Sequence, residues 1–407
     1  MAKILYLVHR LPYPPNKGDK LRSFHLLQHL AARHEVWLGS FVDDPQDWAH
    51  LPVLQGLCRD VFAAGLNPRR AKLASLGGLL GGEALSLPYY RDAGLRRWVA
   101  AQARAQRFDA VVVFSSPMAQ YVLDEPALRG VPLLVDFVDV DSAKWRDYAQ
   151  AHAWPLSWLY RREFRTLLDF ESRVAQQARC SFFVTESETA LFRQLSGSQA
   201  TLAALSNGVD SQFFSPQPQL ASPFSADEQA VVFTGAMDYW PNVDAVCWFA
   251  NEMLPALRQR HARLRFVIVG RNPAPAVRAL ASEAISVTGT VDDVRPYLQH
   301  AAAVVAPLRL ARGVQNKVLE AMAMAKPVVA ARSCVQAVAD LGVQAGRDLL
   351  AAETPTDYQA ALSQLLDQPE AARSMGEQGR ACVLQHFSWQ AHLARLDAWL
   401  PAPELAA

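Results

Sequence analysis

Residues 302–330, AAVVAPLRLARGVQNKVLEAMAMAKPVVA, decide the fold of this chain. The apolar residues 303–306 predict a strand, and residues 308–313 predict the loop that follows it. Residues 314–325 have a helical pattern, and residues 327–330 form a second apolar strand. A helix that starts at the carboxyl end of a strand lies where doubly wound sheets bind their ligands. The stretch therefore predicts a parallel α/β sheet with a ligand site at the start of this helix.

The residues at the start of that helix indicate which ligand would suit it. Gly313 would let a ligand approach the backbone closely, and the first helical N–H groups attract anions such as phosphate. Lys317 and Glu320 lie three residues apart and therefore share one helix face. A cation beside a phosphate and a carboxylate beside a ribose would suit a nucleotide-sugar. An ordinary βαβ unit with a solvated Lys–Glu pair fits this stretch equally well.

The composition is typical of a globular enzyme and disfavours several other classes. A chain of 407 residues, 51% hydrophobic and 19% charged, can build two domains that each have a core. A net charge of +1 gives no strong field, so no nucleic-acid partner is expected. The five cysteines include no CxxC pair, which argues against a disulfide framework or a zinc site and for a reducing compartment.

Short apolar runs alternate with helical patterns along the whole chain, which predicts α/β architecture. Many of the runs end in Gly, Ser or Asn, as strand-to-helix turns do. The predicted strands are residues 4–8, 35–41, 61–64, 110–114, 132–137, 181–185 and 201–205 in the first half, and 230–234, 264–269, 284–288, 303–306, 327–330 and 348–351 in the second.

One segment has the composition of a linker. Residues 214–228, FSPQPQLASPFSADE, are rich in Pro and Ser and have no helical period. We therefore expect a first domain at residues 1–213 and a second at residues 229–386, with ligands bound in the cleft between them. The amphipathic segment 387–400 is expected to pack back on the first domain.

Common catalytic motifs do not occur in the sequence. GxSxG, HExxH, Walker and GxGxxG patterns are missing, so hydrolase, metalloprotease, NTPase and NAD-dehydrogenase functions lose support.

The loop after the first strand, residues 9–17, leads to Gly18 at a predicted helix start, with basic residues around it. Such a loop could hold a diphosphate or could be an ordinary surface loop. In the second half, Gly235 and Arg271 follow predicted strands, and Asn242 is expected to be a helix N-cap.

Four stretches of the second half resemble, in order and spacing, the donor domain of glycosyltransferase family 4, whose members have the GT-B fold. They are TGAMDYWPN, LRFVIVGRNP, VTGTVDDVRPYL and GVQNKVLEAMAMAKPVV. The first half is more loosely similar, through the loop before Gly18 and residues 135–144 and 207–210. That loop and DFVDVDSAKW resemble the sugar transferases of exosortase-linked exopolysaccharide clusters.

The resemblance assigns roles to individual residues. Glu320 aligns with the glutamate that holds the ribose, and Gly18 with the N-terminal loop glycine near the donor phosphates. The family's basic pair on the diphosphate is missing, and Lys317 and Arg271 are the candidate substitutes. The expected donor-binding residues are Gly18, Gly235, Arg271, Arg312, Gly313, Val314, Lys317 and Glu320.

The sequence departs from the family motif at one position. Arg312 stands where the family has its first glutamate, which normally contacts the transferred sugar. The change puts the identity of the donor sugar in doubt and could favour an acidic sugar or an extra phosphate contact. It does not exclude transfer, because the N–H groups of the loop remain.

The stretch of residues 135–144 ends a strand that would face the cleft. Its aspartates are candidates for orienting the acceptor or for a base, and they could equally form a helix cap and a structural salt bridge. The catalytic candidates are Asp139, Asp141 and Lys317, and the acceptor-side candidates are Lys17, Asp19, Arg22 and Lys144.

Two stretches, residues 67–80 and 154–173, mix basic residues with Leu or Trp. They suit an anionic membrane surface, and they also suit helices that pack on the domain. The N-terminal apolar run is too short for a signal peptide, and no run approaches the roughly 18 apolar residues that span a bilayer. We therefore expect a cytoplasmic protein, peripheral at the inner face of the cell membrane.

The resemblance implies a GT-B glycosyltransferase with two facing Rossmann-like domains. Its donor would be a nucleotide-sugar, and its acceptor a hydroxyl of a saccharide or polyprenyl-linked saccharide in exopolysaccharide biosynthesis. Retention at the anomeric carbon is implied, with no metal and no cofactor. Two alternatives remain, a nucleotide-sugar epimerase of the same fold and a non-catalytic partner subunit.

Overall fold

The computed structural model describes residues 1–15, 17–310, 314–339 and 341–400. They form two compact units, which are described separately. The first unit is Met1–Ser206 together with the C-terminal residues from His392, and the second is Asn207–Ala391. None of the helices within these described ranges has the length and apolar character needed to span a bilayer.

The first unit contains a sheet of seven parallel strands in the order β3-β2-β1-β4-β5-β6-β7. Residues Ile4 to Val8 of its central strand are all buried, because helices cover both faces of the sheet. The strands are β1 Lys3–Val8, β2 Glu35–Val42, β3 Asp60–Gly65, β4 Ala110–Phe114, β5 Leu133–Val138, β6 Cys180–Phe183 and β7 Leu202–Ala204.

Within its described residues, the first unit has nine α-helices that connect these strands. Three short 3-10 helices, Pro45–His50, Ser116–Tyr121 and Pro126–Leu128, lie between them. The α-helices are α1 Gly18–Ala31, α2 Leu51–Leu57, α3 Pro68–Ser75, α4 Gly77–Gly81, α5 Ser86–Tyr89, α6 Ala93–Ala105, α7 Asp141–Ala151, α8 Leu156–Gln177 and α9 Glu186–Ser196.

The second unit contains a six-stranded parallel sheet in the order β10-β9-β8-β11-β12-β13. Its strands are β8 Gln229–Thr234, β9 Leu264–Val269, β10 Ile285–Gly289, β11 Ala303–Ala306, β12 Val328–Ala331 and β13 Leu350–Ala352. Its helices are α10 Trp240–Trp248, a π-helical turn Phe249–Met253, α11 Leu254–Arg260, α12 Pro275–Arg278, α13 Arg295–His300, α14 Asn316–Ala323, α15 Arg332–Ala339, α16 Pro355–Asp367 and α17 Pro369–His386.

The predicted α/β fold class is confirmed. All thirteen predicted strands occur, and each of their ends lies within two residues of its prediction. The helix predicted over 314–325 is shorter, Asn316–Ala323, because Gln315 is extended and Ala325 has a positive φ of 55°. The pattern of apolar residues therefore located the helix but not its ends.

In each sheet, the strand order identifies one position, at the carboxyl ends of two neighbouring strands, where ligands are expected. In the first sheet the chain order reverses between β1 and β4, and in the second between β8 and β11. At such a switch point the connecting loops leave in opposite directions and open a crevice outside the carboxyl ends of the strands. The two switch points are therefore the places where each unit can bind a ligand.

The predicted linker, residues 214–228, lies within the second unit. Gln217 donates its backbone N–H to Gln299 Oε1 at 2.8 Å and accepts a bond from Gln299 Nε2 at 2.9 Å. His300 Nε2 lies 2.7 Å from the carbonyl oxygen of Leu220, and Arg380 donates to the carbonyl oxygen of Phe214. These contacts attach the segment to α13 and α17.

The last helix, α18 Trp389–Asp397, carries the chain from the second unit into the first. At its end, Asp397 Oδ1 lies 2.7 Å from Nε2 of His29 in α1. His29 is buried, and its other ring nitrogen lies 3.1 Å from Arg33. The end of α18 is therefore attached to the first unit through this pair.

Candidate functional site

Lys317 lies at the switch point of the second unit. It is in the first turn of α14, and its Nζ atom lies 4.1 Å from the ring centroid of Phe233 in β8. The same Nζ donates a 2.6 Å hydrogen bond to Asn242 Oδ1 in α10. The ammonium group therefore reaches from the β11 side of the switch point to the end of β8.

Two glycines let the backbone pass closely around this ammonium group. A Cβ atom on Gly235 would lie 2.7 Å from Asn242 Nδ2 and 3.1 Å from Lys317 Nζ. A Cβ atom on Gly270 would lie 1.6 Å from the carbonyl oxygen of Gly235. Because no side chain fits at either position, the loops after β8 and β9 need glycine to approach each other beside Lys317.

The pKa values of the Lys317 and Glu320 side chains are both shifted. Loss of water contact lowers the pKa of Lys317 to about 7, although Cys334 and Glu320 oppose that change. Burial raises the pKa of Glu320 to about 7, and Lys317 partly offsets it. Because each group is poorly solvated, an anion beside Lys317 would stabilise its charged form.

Asn242 is not the N-cap that the sequence predicts. Tyr239 occupies that position, and Asn242 is the third residue of α10. Its Nδ2 donates to the carbonyl oxygen of Ala236 at 2.9 Å, and its Oδ1 accepts from Lys317. The residue therefore joins the loop after β8 to the ammonium group, a role that local sequence does not reveal.

The other predicted donor residues occupy different environments. Arg271 follows Gly270 at the end of β9 and is half-buried, beside the Gly235 loop. Val314 is buried, so its side chain packs in the core and only its backbone could contact a ligand. Arg312 and Gly313 lie outside the described residues. Their assigned roles stay predictions.

At the first unit's switch point, α1 begins at the exposed Gly18, as the sequence predicts, with Lys17 as its N-cap. Asp19 in the first turn is contacted by His9 Nε2 at 3.3 Å and by an Arg10 guanidinium nitrogen at 2.5 Å. Burial raises the pKa of Asp19, but the hydrogen bond from His9 and the charge of Arg10 hold it well below its usual range. Asp19 is thus ionised and already paired.

Arg22, one of the predicted acceptor-side residues, lies in the core. Only 1% of the residue is exposed, and its Nε and Nη2 atoms donate to the two carboxylate oxygens of Asp136 at 2.7 and 3.0 Å. Lys20 is likewise buried against Asp47. Both pairs hold α1 to the rest of the first unit.

Asp139 and Asp141 share one cation. Lys144 Nζ lies 3.0 Å from Asp139 Oδ2 and 2.9 Å from Asp141 Oδ1. Burial lowers the pKa of Lys144, but the two carboxylates raise it by more than burial lowers it. The pKa of Lys144 therefore lies well above its ordinary value. A structural salt bridge was one of the two interpretations of this stretch of sequence, and it is present. It fixes the positions of the two carboxylates at the end of β5.

Three buried acids hold the loop that carries these aspartates. Asp136 Oδ1 accepts the N–H of Val138 at 3.2 Å, and Glu188 Oε2 accepts that of Val140 at 2.8 Å. Glu171 accepts from Ser142 Oγ at 2.6 Å, and burial raises the Glu171 pKa to about 8.

Within this loop, Val138 has a φ of 69°. Left-handed backbone costs a β-branched residue about 1–2 kcal/mol and is found mostly where function needs it. The end of β5, where this strained loop is held by hydrogen bonds at three points, is therefore a candidate functional position.

No metal site is evident in the described ranges. Within residues 1–15, 17–310, 314–339 and 341–400, no three His, Cys, Asp or Glu side chains lie together in a way that could hold an ion. At the two switch points, these residues offer a poorly solvated cation, Lys317, and aspartates that are already paired with lysine or arginine. Such groups can bind anions and hydroxyl groups.

Comparison with known proteins matches both units. Residues 20–208 match a family model described as "Glycosyl transferase 4-like domain", and residues 228–368 match one described as "Glycosyl transferases group 1". Together the two models match well over half of the chain. No sequence match to a curated protein was found.

Solved structures show the same fold at low sequence identity. Sucrose-phosphate synthase from Thermosynechococcus elongatus is 18% identical, with a TM-score of 0.75 over 98% of each chain. Anabaena Alr3699/HepE in complex with UDP is 16% identical, with a TM-score of 0.71 over 97% of this chain and 98% of that one. WaaG, a glycosyltransferase involved in lipopolysaccharide biosynthesis, is 16% identical, with a TM-score of 0.66 over 98% and 100%. The chain is therefore a glycosyltransferase with the GT-B fold, composed of a glycosyl transferase 4-like domain followed by a glycosyl transferases group 1 domain.

Proposed function

We propose that this glycosyltransferase belongs to family 4 and transfers a sugar from a UDP-sugar to a hydroxyl of a lipid-linked saccharide in exopolysaccharide biosynthesis. Transfer proceeds with retention and without a metal or cofactor. The observation that carries the proposal is the position of Lys317 Nζ at the switch point, 2.6 Å from Asn242 and beside Gly235. Complexes of Anabaena Alr3699/HepE with UDP and with UDP-glucose support a uridine nucleotide as donor.

In the proposed donor site, a few residues bind the different parts of the nucleotide-sugar. Lys317 and Arg271 bind the diphosphate, and Glu320 accepts the ribose hydroxyls. As the bond to the sugar breaks, negative charge grows on the leaving diphosphate, and a fixed cation in a poorly hydrated site stabilises it more than water does. The pKa of Lys317 is low in the free protein because a charged group in a poorly hydrated site is electrostatically unfavourable until an anion binds.

The first prediction tests the ribose contact. Glu320→Gln keeps the size of the side chain and removes its charge, so UDP affinity should fall by about 1–3 kcal/mol, the range for losing a hydrogen bond to a charged group. Isothermal calorimetry with UDP measures this. Glu377→Gln, an exposed glutamate of α17, is the matched control and should bind like the wild type. Unchanged affinity in Glu320→Gln would remove the ribose role.

Product analysis separates this activity from the other two functions that the sequence allows. UDP-glucose incubated with a saccharide acceptor should yield UDP and a new glycoside whose anomeric configuration matches that of the donor. A new UDP-sugar and no glycoside would instead indicate an epimerase. Tight UDP binding without any turnover across a panel of UDP-sugars would indicate a non-catalytic subunit.

The lipid-linked acceptor is supported by one surface of the first unit, here called the aromatic-basic surface. Trp154 is 80% exposed, Trp158 56% and Leu73 71%, and neighbouring Leu76 and Leu79 are also exposed. Large exposed apolar side chains in one area mark a site of interaction. The exposed basic residues of the same two stretches are Arg69, Arg70, Lys72, Arg161, Arg165 and Arg173.

Arg162 connects the two stretches and so supports treating them as one surface. Its Nη2 donates to the carbonyl oxygens of Gly78 at 2.6 Å and Glu83 at 3.1 Å, and this attaches α8 to α4 and to the segment after α4. Arg162 is therefore a structural residue and not a free cation. Tryptophans beside basic residues suit the interface of a bilayer with anionic lipids, and we propose that this surface binds such a bilayer.

The second prediction follows from that surface. Each basic residue near an anionic membrane contributes about 1 kcal/mol, so the double reversal Arg161→Glu and Arg165→Glu should weaken binding to anionic liposomes at least tenfold. Sedimentation at low salt measures it. Arg104→Glu with Arg107→Glu changes the net charge equally elsewhere in the first unit and should sediment like the wild type. Wild-type protein that stays in the supernatant would favour a soluble acceptor.

A further inference from the structure

His9 lies at the switch point of the first unit and has no role in the donor site. It is the first residue after β1, and its ring stacks on Phe114, the last residue of β4, with centroids 5.8 Å apart and planes at 4°. The ring of Tyr90 packs against it in a T-shaped arrangement, with centroids 5.7 Å apart and planes at 86°. The imidazole is therefore held in one orientation between the two strands where a ligand is expected.

The two ring nitrogens of His9 differ in their surroundings. Nε2 lies 3.3 Å from the ionised Asp19 carboxylate, which favours the tautomer with the proton on Nε2. Nδ1 is buried and has no hydrogen-bond partner among the described residues. In this tautomer Nδ1 is an acceptor, and a buried acceptor without a donor costs about 1–3 kcal/mol. A ligand O–H group would remove that cost.

The neighbours of His9 favour a neutral, hydroxyl-rich ligand. The Arg10 guanidinium is neutralised by Asp19 at 2.5 Å and by Asp43 at 2.8 Å, so it offers no free charge to a phosphate. Asp43 Oδ1 is a second buried acceptor without a donor among the described residues. The rings of Phe114 and Tyr90 supply apolar area. Two acceptors beside aromatic rings match a sugar with several O–H groups.

We infer that His9 Nδ1 accepts a hydrogen bond from a sugar hydroxyl during the reaction, with Asp19 as the positioning residue that orients the ring through Nε2. The inference rests on the proposed function and adds a substrate-binding residue of the first unit. It involves no covalent step. The sugar could belong to the acceptor or to the donor, and these two sources need separate tests.

The third prediction uses protein with ¹⁵N-labelled histidine. The His9 Nδ1 resonance should shift when the site receives a hydroxyl donor. n-Octyl β-D-glucoside added to the UDP-saturated protein represents the acceptor, and UDP-glucose compared with UDP represents the transferred sugar. A shift in either titration supports the inference and identifies the source of the hydroxyl. A resonance unmoved by both would overturn it.

Variants of His9 give an independent kinetic readout. His9→Phe keeps an aromatic ring against Phe114 and removes both nitrogens, so transfer from UDP-glucose to the glucoside should slow about tenfold. UDP affinity, measured by calorimetry, should stay unchanged. His9→Asn places an amide near the position of Nδ1 and should recover part of the loss. Wild-type kinetics in His9→Phe, or equal losses in the two variants, would contradict the role of Nδ1.

The outcome for His9 is separable from the outcome for the donor site. If the wild-type protein bound no UDP, the proposed function would fail, yet the glucoside titration of the labelled protein would still report on Nδ1. If His9→Phe lost its fold, the wild-type titration would decide alone.

Discussion

Arg22→Met should lower the free energy of unfolding of the first unit by about 3–5 kcal/mol, the range for breaking a buried ion pair by removing one partner. Arg22 is 1% exposed and Asp136 2%, and two hydrogen bonds join them. Methionine fills much of the space but leaves the Asp136 carboxylate without a counter-charge in the core. Urea unfolding followed by tryptophan fluorescence measures the change, with the two units treated as separate transitions.

The double variant Arg22→Met with Asp136→Leu is the informative partner of this experiment. Replacing both charges with apolar groups removes the uncompensated carboxylate, so much of the lost stability should return. Lys17→Met, one turn earlier and half-buried, should change stability by no more than about 0.5 kcal/mol. A stable Arg22→Met protein with a weakened acceptor interaction would restore the original acceptor-side prediction for Arg22.

The fold was predictable because its signal is local. A strand buried on both faces of a parallel sheet must be apolar along its whole length, and each of the thirteen runs is visible without knowledge of its neighbours. The ends of α14 were not predictable, because they depend on the conformations of Gln315 and Ala325.

The site was predictable only where one stretch of sequence holds all the needed groups. Lys317 and Glu320 lie on one helix, and the sequence shows that they share one face of it. Asn242 became part of the site through Lys317, 75 residues away, and Arg22 became structural through Asp136, 114 residues away. One signal was available for Arg22, since Asp136 interrupts an apolar strand and a buried carboxylate needs a cation.

Lys317→Met should reduce turnover of UDP-glucose by about 10²–10³-fold, the loss typical of removing one group that stabilises a developing anion. UDP binding should weaken far more than uridine binding, because uridine has no diphosphate. Lys326→Met is the matched control. It is the other lysine of the second unit. It lies just before β12, at the amino ends of the strands and not at their carboxyl ends, and it donates to the Gln299 carbonyl. Equal losses for UDP and uridine would indicate misfolding or a base contact instead.

Lys317 and Glu320 together predict how donor affinity depends on pH. UDP-glucose is the suitable ligand, because its diphosphate is esterified at both ends and does not titrate near neutrality. Lys317 must be protonated to attract the diphosphate, and its pKa of about 7 means that affinity falls as the pH rises above 7. Glu320 must be ionised to accept the ribose hydroxyls, and its pKa of about 7 means that affinity falls as the pH drops below 7. Affinity should therefore be greatest near pH 7.

Each variant should remove one side of this pH profile. Glu320→Gln should keep the loss of affinity at high pH and abolish the loss at low pH, since only Lys317 still titrates. Lys317→Met should do the reverse. Because diphosphate binding raises the pKa of Lys317, the Glu320→Gln variant should also take up protons when it binds UDP-glucose at pH 7.5. Calorimetry in two buffers of different ionisation enthalpy measures that uptake, and a heat independent of the buffer would show that Lys317 does not face the diphosphate.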